Sequence, residues 1–237
     1  MVKTCQYFFV KNQIIIIPYL FSNGEWRIRR LPYNLTKYNC KYWITDEIGA
    51  SAHGLVNQNI FSPIIPKFYR CDVKSLSLSD LIISFNDLSL IISSAELIRF
   101  TNVIVKHMDS TDVPLEDIIA IAINAKFVEI TKPTITPKTM KELTQLPNFT
   151  KLRFFDLYSL SEVSDIDAFY SYMKKNLHTK FLLKFDEQIS EGFKNRIETI
   201  VDEILETKEF DYEPPVIYFT GIDIQRFEKL CQTYFSH

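Results

Sequence analysis

KLRFFDLYSL, residues 151–160, carries apolar side chains at Leu152, Phe155, Leu157 and Leu160, with Asp156 standing between two of them. Side chains of a strand alternate between its two faces, so Phe155 and Leu157 point one way and Asp156 and Tyr158 the other. A doublet two residues apart recurs along the chain at 76/78, 98/100, 128/130, 155/157, 183/185 and 217/219, at steps of 22, 30, 27, 28 and 34 residues. It falls in VKSLSL (73–78), AELIRF (95–100), AKFVEI (125–130), KFLLKF (180–185) and PPVIYF (214–219).

The segments between doublets have helical spacing. DIDAFYSYMKKNLHTK carries Ile166, Phe169, Tyr170, Met173 and Leu177 on one stripe. EGFKNRIETIVDEILET carries Phe193, Ile197, Ile200, Val201, Ile204 and Leu205 in the same way. Asp165, Ser190 and Thr136 (ahead of Pro137) are N-cap residues for three of these helices, and Asp223 caps DIQRFEKLCQTYF. Strand, crossover helix and strand at a step near 28 imply parallel strands with right-handed connections. The expected fold is α/β: an irregular leucine-rich-repeat-like solenoid, with a parallel sheet of at least six strands backed by helices. The Asn or Cys of a regular repeat is missing, since the corresponding places hold Leu81, Val103, Pro133, Leu160, Gln188 and Ile222, so no asparagine ladder is expected. A doubly wound sheet is the structural rival, disfavoured because no Gly-rich first turn is present.

Residues 1–70 read as an irregular capping region, and 71–237 as repeats continuous with it in one domain. QIIIIPYLF and EWRIRRL are β-rich, KYWITDEI resembles an irregular first rung with Tyr42 and Ile44 inward, and 49–63 is the most loop-like stretch.

Of the 237 residues, 46% are hydrophobic and 24% charged, the balance of a soluble globular protein. Phe (19) and Tyr (12) are plentiful and Gly (5) is scarce, which suits an aromatic core and not phosphate-cradling loops. A net charge of −2 provides no field for a polyanion or an anionic membrane, and Arg27-Ile28-Arg29-Arg30 reads as a solvated strand edge. Cys5, Cys40, Cys71 and Cys231 have neither metal-ligand, redox nor disulfide-framework spacing. A reduced cytoplasmic or nuclear compartment follows, with the sequons at Asn34 and Asn148 unused. The N-terminus lacks the layout of a signal peptide, and Ile14–Ile17 is too short to cross a bilayer.

No catalytic constellation emerges. His53, His107, His178 and His237 have no helical ligand spacing, and His107 with Asp109 and Asp112 reads as a solvated loop in which Asp112 caps the next helix. The acid pairs 46/47 and 186/187 splay to opposite strand faces, and no cofactor motif is present. The chain is not expected to be an enzyme, nor to hold a cofactor or metal.

Two regions carry a resemblance. Residues 170–208, YSYMKKNLHTKFLLKFDEQISEGFKNRIETIVDEILETK, resemble the C-terminal part of a nematode family of F-box proteins with degenerate leucine-rich-repeat-like domains. MVKTCQYFFVKN (1–12), CKYWITDEI (40–48) and IIPKFYRCDVKSLSLSD (64–80) resemble the N-terminal part of the same domain. The resemblance implies target recognition within a cullin–RING ubiquitin ligase. An F-box would precede the repeats, and the chain begins where its last helix ends, around Thr4 to Val10, so a Skp-type adaptor would bind only through an F-box lying upstream. The alternative is a scaffold domain with no ligase link.

In either case the binding surface is expected on the open sheet face, at the positions alternating with the core: Arg99, Glu129, Asp156, Tyr158, Lys184, Asp186 and Tyr218. Tyr flanked by charge centres that surface on Tyr158, Lys184 and Tyr218, and makes a protein the expected partner.

Overall fold

The computed structural model describes residues 13–163 and 165–236. The F-box-type helix remnant expected near Thr4 to Val10, and Cys5, lie outside them. The chain divides into two compact units, one through Val113 and one from Pro114. Both are α/β, and both are built on parallel strands.

The first unit runs β1 (Ile14–Asn23), β2 (Trp26–Ile28), β3 (Leu31–Pro32), β4 (Lys41–Ser51), β5 (Phe68–Cys71), β6 (Ser75–Ser79), β7 (Ile82–Ser84), α1 (Phe85–Ile92), β8 (Leu97–Thr101) and β9 (Ile104–Lys106). Its sheet has the order β8-β6-β4-β1-β2-β3, with β5 also pairing with β4. Strands β1, β4, β6 and β8 are mutually parallel along that path, while β2 and β3 form an antiparallel edge hairpin. The four isoleucines of β1 favour extended backbone, because branching at Cβ suits a pleated surface. Pro18 has no N–H to give to the ladder, and the β1/β4 register shifts between Ile17 and Tyr19 to step around it.

The residues assigned to a cap up to position 70 are therefore part of a sheet that also contains β6 and β8. Tyr42 and Ile44 are fully buried in it. The hairpin turn of β2 and β3 is made by Arg29 (φ 51°) and Arg30 (φ 69°), two left-handed positions where Asn-Gly is the comfortable pair.

The second unit runs α2 (Leu115–Ile121), β10 (Phe127–Thr131), α3 (Thr139–Gln145), β11 (Phe154–Leu160), α4 (Ile166–Lys175), β12 (Lys180–Phe185), α5 (Glu191–Glu206), β13 (Val216–Tyr218) and α6 (Ile224–Ser236). Its strands are all parallel, in the order β13-β12-β11-β10. Asp165, Ser190 and Asp223 cap α4, α5 and α6 through bonds from the N–H groups of Ala168, Phe193 and Arg226. Thr136 instead shapes a turn, with Lys138 as the residue that precedes α3.

The doublets form the core of each unit. Leu76 and Leu78 oppose Ile98 and Phe100 in the first, and Val128 and Ile130 oppose Phe155 and Leu157 in the second. All are buried, each contributing about 1.5–3 kcal/mol by removal from water. One expected alignment is displaced by two residues: Phe155 and Leu157 oppose Phe181 and Leu183, and Phe185 meets Leu160 across a bulge after Leu157. Because two residues is one full strand period, the face is preserved. Phe149, at the C-terminal side of α3, packs edge-on against Phe155 and face-on against Tyr172, which explains the aromatic content.

The strand ends of three rungs share a left-handed residue, and two of these are joined by one polar bond. The residue directly after β6, β8 and β10, namely Asp80, Asn102 and Lys132, has φ of 52°, 52° and 57°. In the first unit Asn102 Nδ2 donates to Asp80 Oδ1 at 3.0 Å. These left-handed positions lie one residue earlier than the place a regular repeat gives its Asn, and Leu81 turns inward to the core. In the second unit the buried amide of Asn148 donates to the carbonyls of Ile119 (2.6 Å) and Ala122 (3.1 Å), closing the C-terminal end of α2.

Candidate interaction surfaces

On each unit the sheet has a face opposite the doublets, and the two faces differ. In the second unit that face carries Glu129, Asp156, Tyr158, Lys184 and Tyr218, as the alternation requires. It is not open. Helix α6 has Phe227, Leu230 and Tyr234 on one stripe, and a stripe of that kind needs an apolar surface to cover. Phe227 meets Tyr218 edge-on at 5.0 Å. Lys180 Nζ lies over the Tyr234 ring at 5.1 Å and donates to the Tyr234 carbonyl at 3.0 Å. Val216, whose side chain points away from the doublet core, is only 2% exposed.

The expected site residues are therefore distributed as follows. Lys184 is exposed and sits 5.1 Å from the centre of the Tyr218 ring, so these two do come together. Tyr158 and Tyr218 are half-buried. Asp186 lies just past β12 and is engaged in its own turn, its Oδ1 accepting from Gln188 N–H at 3.0 Å. Arg99 belongs to the first unit, where it is exposed on β8.

Asp156 is the unusual member. Its Oδ1 is buried without a hydrogen-bond partner among the described residues. Burial first, and then the neighbouring Glu129 carboxylate, push its carboxyl up to about 6. Tyr234, pressed against Asp156 and Tyr158, has its hydroxyl held well above the usual phenol range by burial and by those neighbours.

The face of the first unit presents a different set. On β1 the outward side chains Ile16, Tyr19 and Phe21 are 57%, 49% and 37% exposed. The Phe21 ring lies against the backbone of Gly49 on β4: a Cβ at position 49 would sit 2.7 Å from Phe21 Cδ1. The cross-strand register makes one row of Arg27, Phe21, Gly49, Ser77 and Arg99. The next row is Asn23, Ser51, Ser79 and Thr101. Both rows border a groove of about 450 Å³. Sequence reading missed the aromatic stripe, because it left β1 outside the repeats; the stripe is visible as alternation in PYLFSN once β1 is taken as a rung.

Other candidates resolve into structure. Asp109 accepts from both the N–H and the hydroxyl of Thr111, which holds its carboxyl below the usual range. Asp112 pairs with Lys106 at 2.5 Å instead of capping α2, which begins after Pro114. Among the described residues there is no metal-ligating cluster, and Cys40, Cys71 and Cys231 are unpaired. No helix among them is long and apolar enough to cross a membrane.

Comparison with known proteins returns no matching family model, no similar curated protein and no similar solved structure.

Proposed function

We propose that this chain is a protein–protein interaction domain, an irregular leucine-rich-repeat-like array that recognises targets for an F-box type ubiquitin ligase. The observation that carries the binding role is the outward stripe of Ile16, Tyr19 and Phe21 on a regular sheet face flanked by Arg27 and Arg99. Large apolar side chains of this kind are costly to leave in water, and Tyr and Arg are the residues on which interface energy concentrates. The ligase link is supported by the resemblance of residues 1–12, 40–48, 64–80 and 170–208 to F-box proteins. The site is the first unit's face, with Tyr19, Phe21 and Arg99 as anchors, and not the surface around Tyr158, Lys184 and Tyr218.

Affinity purification with mass spectrometry, on wild type and Gly49→Val in parallel, tests this. A side chain at position 49 displaces the Phe21 ring while valine keeps the strand. Targets and cullin–RING components captured by wild type should follow different rules. The targets should be lost from Gly49→Val, and ligase components should be retained in both if the chain is presented with an F-box. Capture of the same targets by both proteins would reject the proposed face.

A further inference from the structure

We infer that the groove on the first unit binds an extended acidic peptide segment of a partner; this deepens the proposed recognition role and rests on it. The chain as a whole is slightly acidic, with 29 Asp and Glu against 27 Lys and Arg. The groove departs from that average: its lining contains Arg27 and Arg99 and no carboxylate. The remaining polar groups are neutral donors, chiefly the hydroxyls of Ser51, Ser77, Ser79 and Thr101. Ser77 and Ser79 make no side-chain hydrogen bond among the described residues, so both hydroxyls are able to turn toward a ligand.

The geometry suits a peptide and not an isolated ion. Arg27 and Arg99 occupy the two ends of one row that spans five strands, β2, β1, β4, β6 and β8. At ~4.8 Å between strands their backbones are about 19 Å apart, a length that an extended segment of about six residues covers at ~3.3 Å per residue. Between the two arginines the floor is low. Gly49 has no side chain and Ser77 a short one, while the Phe21 ring offers one apolar contact. A segment with an acidic residue toward each end would meet a guanidinium at each, and at Arg27 the fork is open to bidentate pairing. It would place its middle residues over Phe21, Gly49 and Ser77. Arg27 is exposed and forms no ion pair among the described residues.

The experiment is selection from a phage-displayed library of random twelve-residue peptides on the immobilised full chain, followed by fluorescence polarisation with one selected peptide, synthesised and labelled. Selected sequences should be enriched in Asp and Glu. Arg27→Glu should weaken the labelled peptide at least tenfold, and Arg27→Lys should retain most of the affinity. Both substitutions lie at an exposed position of the short strand β2, so the melting temperature of each variant should match that of wild type. Selected peptides without acidic enrichment, or bound equally by Arg27→Glu, overturn the inference; if their binding is still lost in Gly49→Val, the recognition face itself stands. Peptides insensitive to Gly49→Val, or no selection at all, overturn the recognition face and the inference with it.

Discussion

The first unit leaves its outward sheet face to solvent, and the second lays its own C-terminal helix across the equivalent face. The alternation of core and outward residues is the same in both, yet Tyr19 and Phe21 are exposed where Val216 is buried and Tyr218 packs on Phe227. An outward aromatic therefore does not by itself mark a binding site. It marks a surface that something must cover, and whether the cover is intramolecular is decided by what else the chain provides. In the second unit α6 provides it, with Leu230 and Tyr234 buried beneath the helix.

Several substitutions can break or sharpen that contrast. The largest effect should come from Leu230→Ala, which removes the side chain most buried under α6: about 2–5 kcal/mol of stability, read by chemical denaturation. A loss below ~1 kcal/mol would mean that α6 does not hold to the face, and the two units would cease to differ. Next is the contrast between the two asparagines. Asn148→Ala leaves two α2 carbonyls without their donor in a buried place and should cost about 1–3 kcal/mol, whereas Asn102→Ala removes an exposed bond to Asp80 and should cost a few tenths. Equal costs would show that burial does not distinguish them.

Asp156 gives the pH dependence of the covered face. Its folded carboxyl titrates near 6, above the usual carboxylate range, so the folded state holds the proton more tightly than the unfolded chain. Stability should therefore be greater while Asp156 is protonated and decline as pH rises from about 4 to about 6. Asp156→Asn should flatten that decline and raise stability at neutral pH, on the order of 1 kcal/mol after allowance for solvent screening. Glu129, Tyr158 and Tyr234 face the same carboxyl, so the measurement should be repeated in Glu129→Gln to separate burial from charge repulsion. An unchanged pH profile in Asp156→Asn would show that another group sets it. Comparable in size is the effect at the edge hairpin: Arg29→Asn with Arg30→Gly should raise stability by about 1 kcal/mol by relieving two left-handed arginines, seen as a small increase in melting temperature.

Much of the fold was legible because a period-two doublet at a near-constant step is a local pattern. Leu76/Leu78 and Phe155/Leu157 declared themselves without knowledge of their partners, and so did Asp165, Ser190 and Asp223, whose capping role depends only on the next three residues. What failed was whatever depends on a distant segment. β1 was read as a β-rich part of the capping region, and only its pairing with β4 makes it a rung. The stripe of α6 was plain, but nothing local says which surface a stripe will cover. Asp80 and Asn102 escaped notice because the ladder position was counted from regular repeats, and these strands end one residue sooner. Asn148 stood out only as an unused sequon, and its two buried bonds identify it as a structural residue.

The central claim is that the bare face recognises a partner while the covered face supports the fold. It is tested most directly by measuring target capture and melting temperature together in two double variants, Tyr19→Ser/Phe21→Ser and Tyr158→Ala/Tyr218→Ala. The first pair should abolish capture with little change in melting temperature, and the second should lower the melting temperature by several degrees through loss of packing under α6. The reverse pattern, with capture lost only when Tyr158 and Tyr218 are removed and stability unaffected, would contradict it.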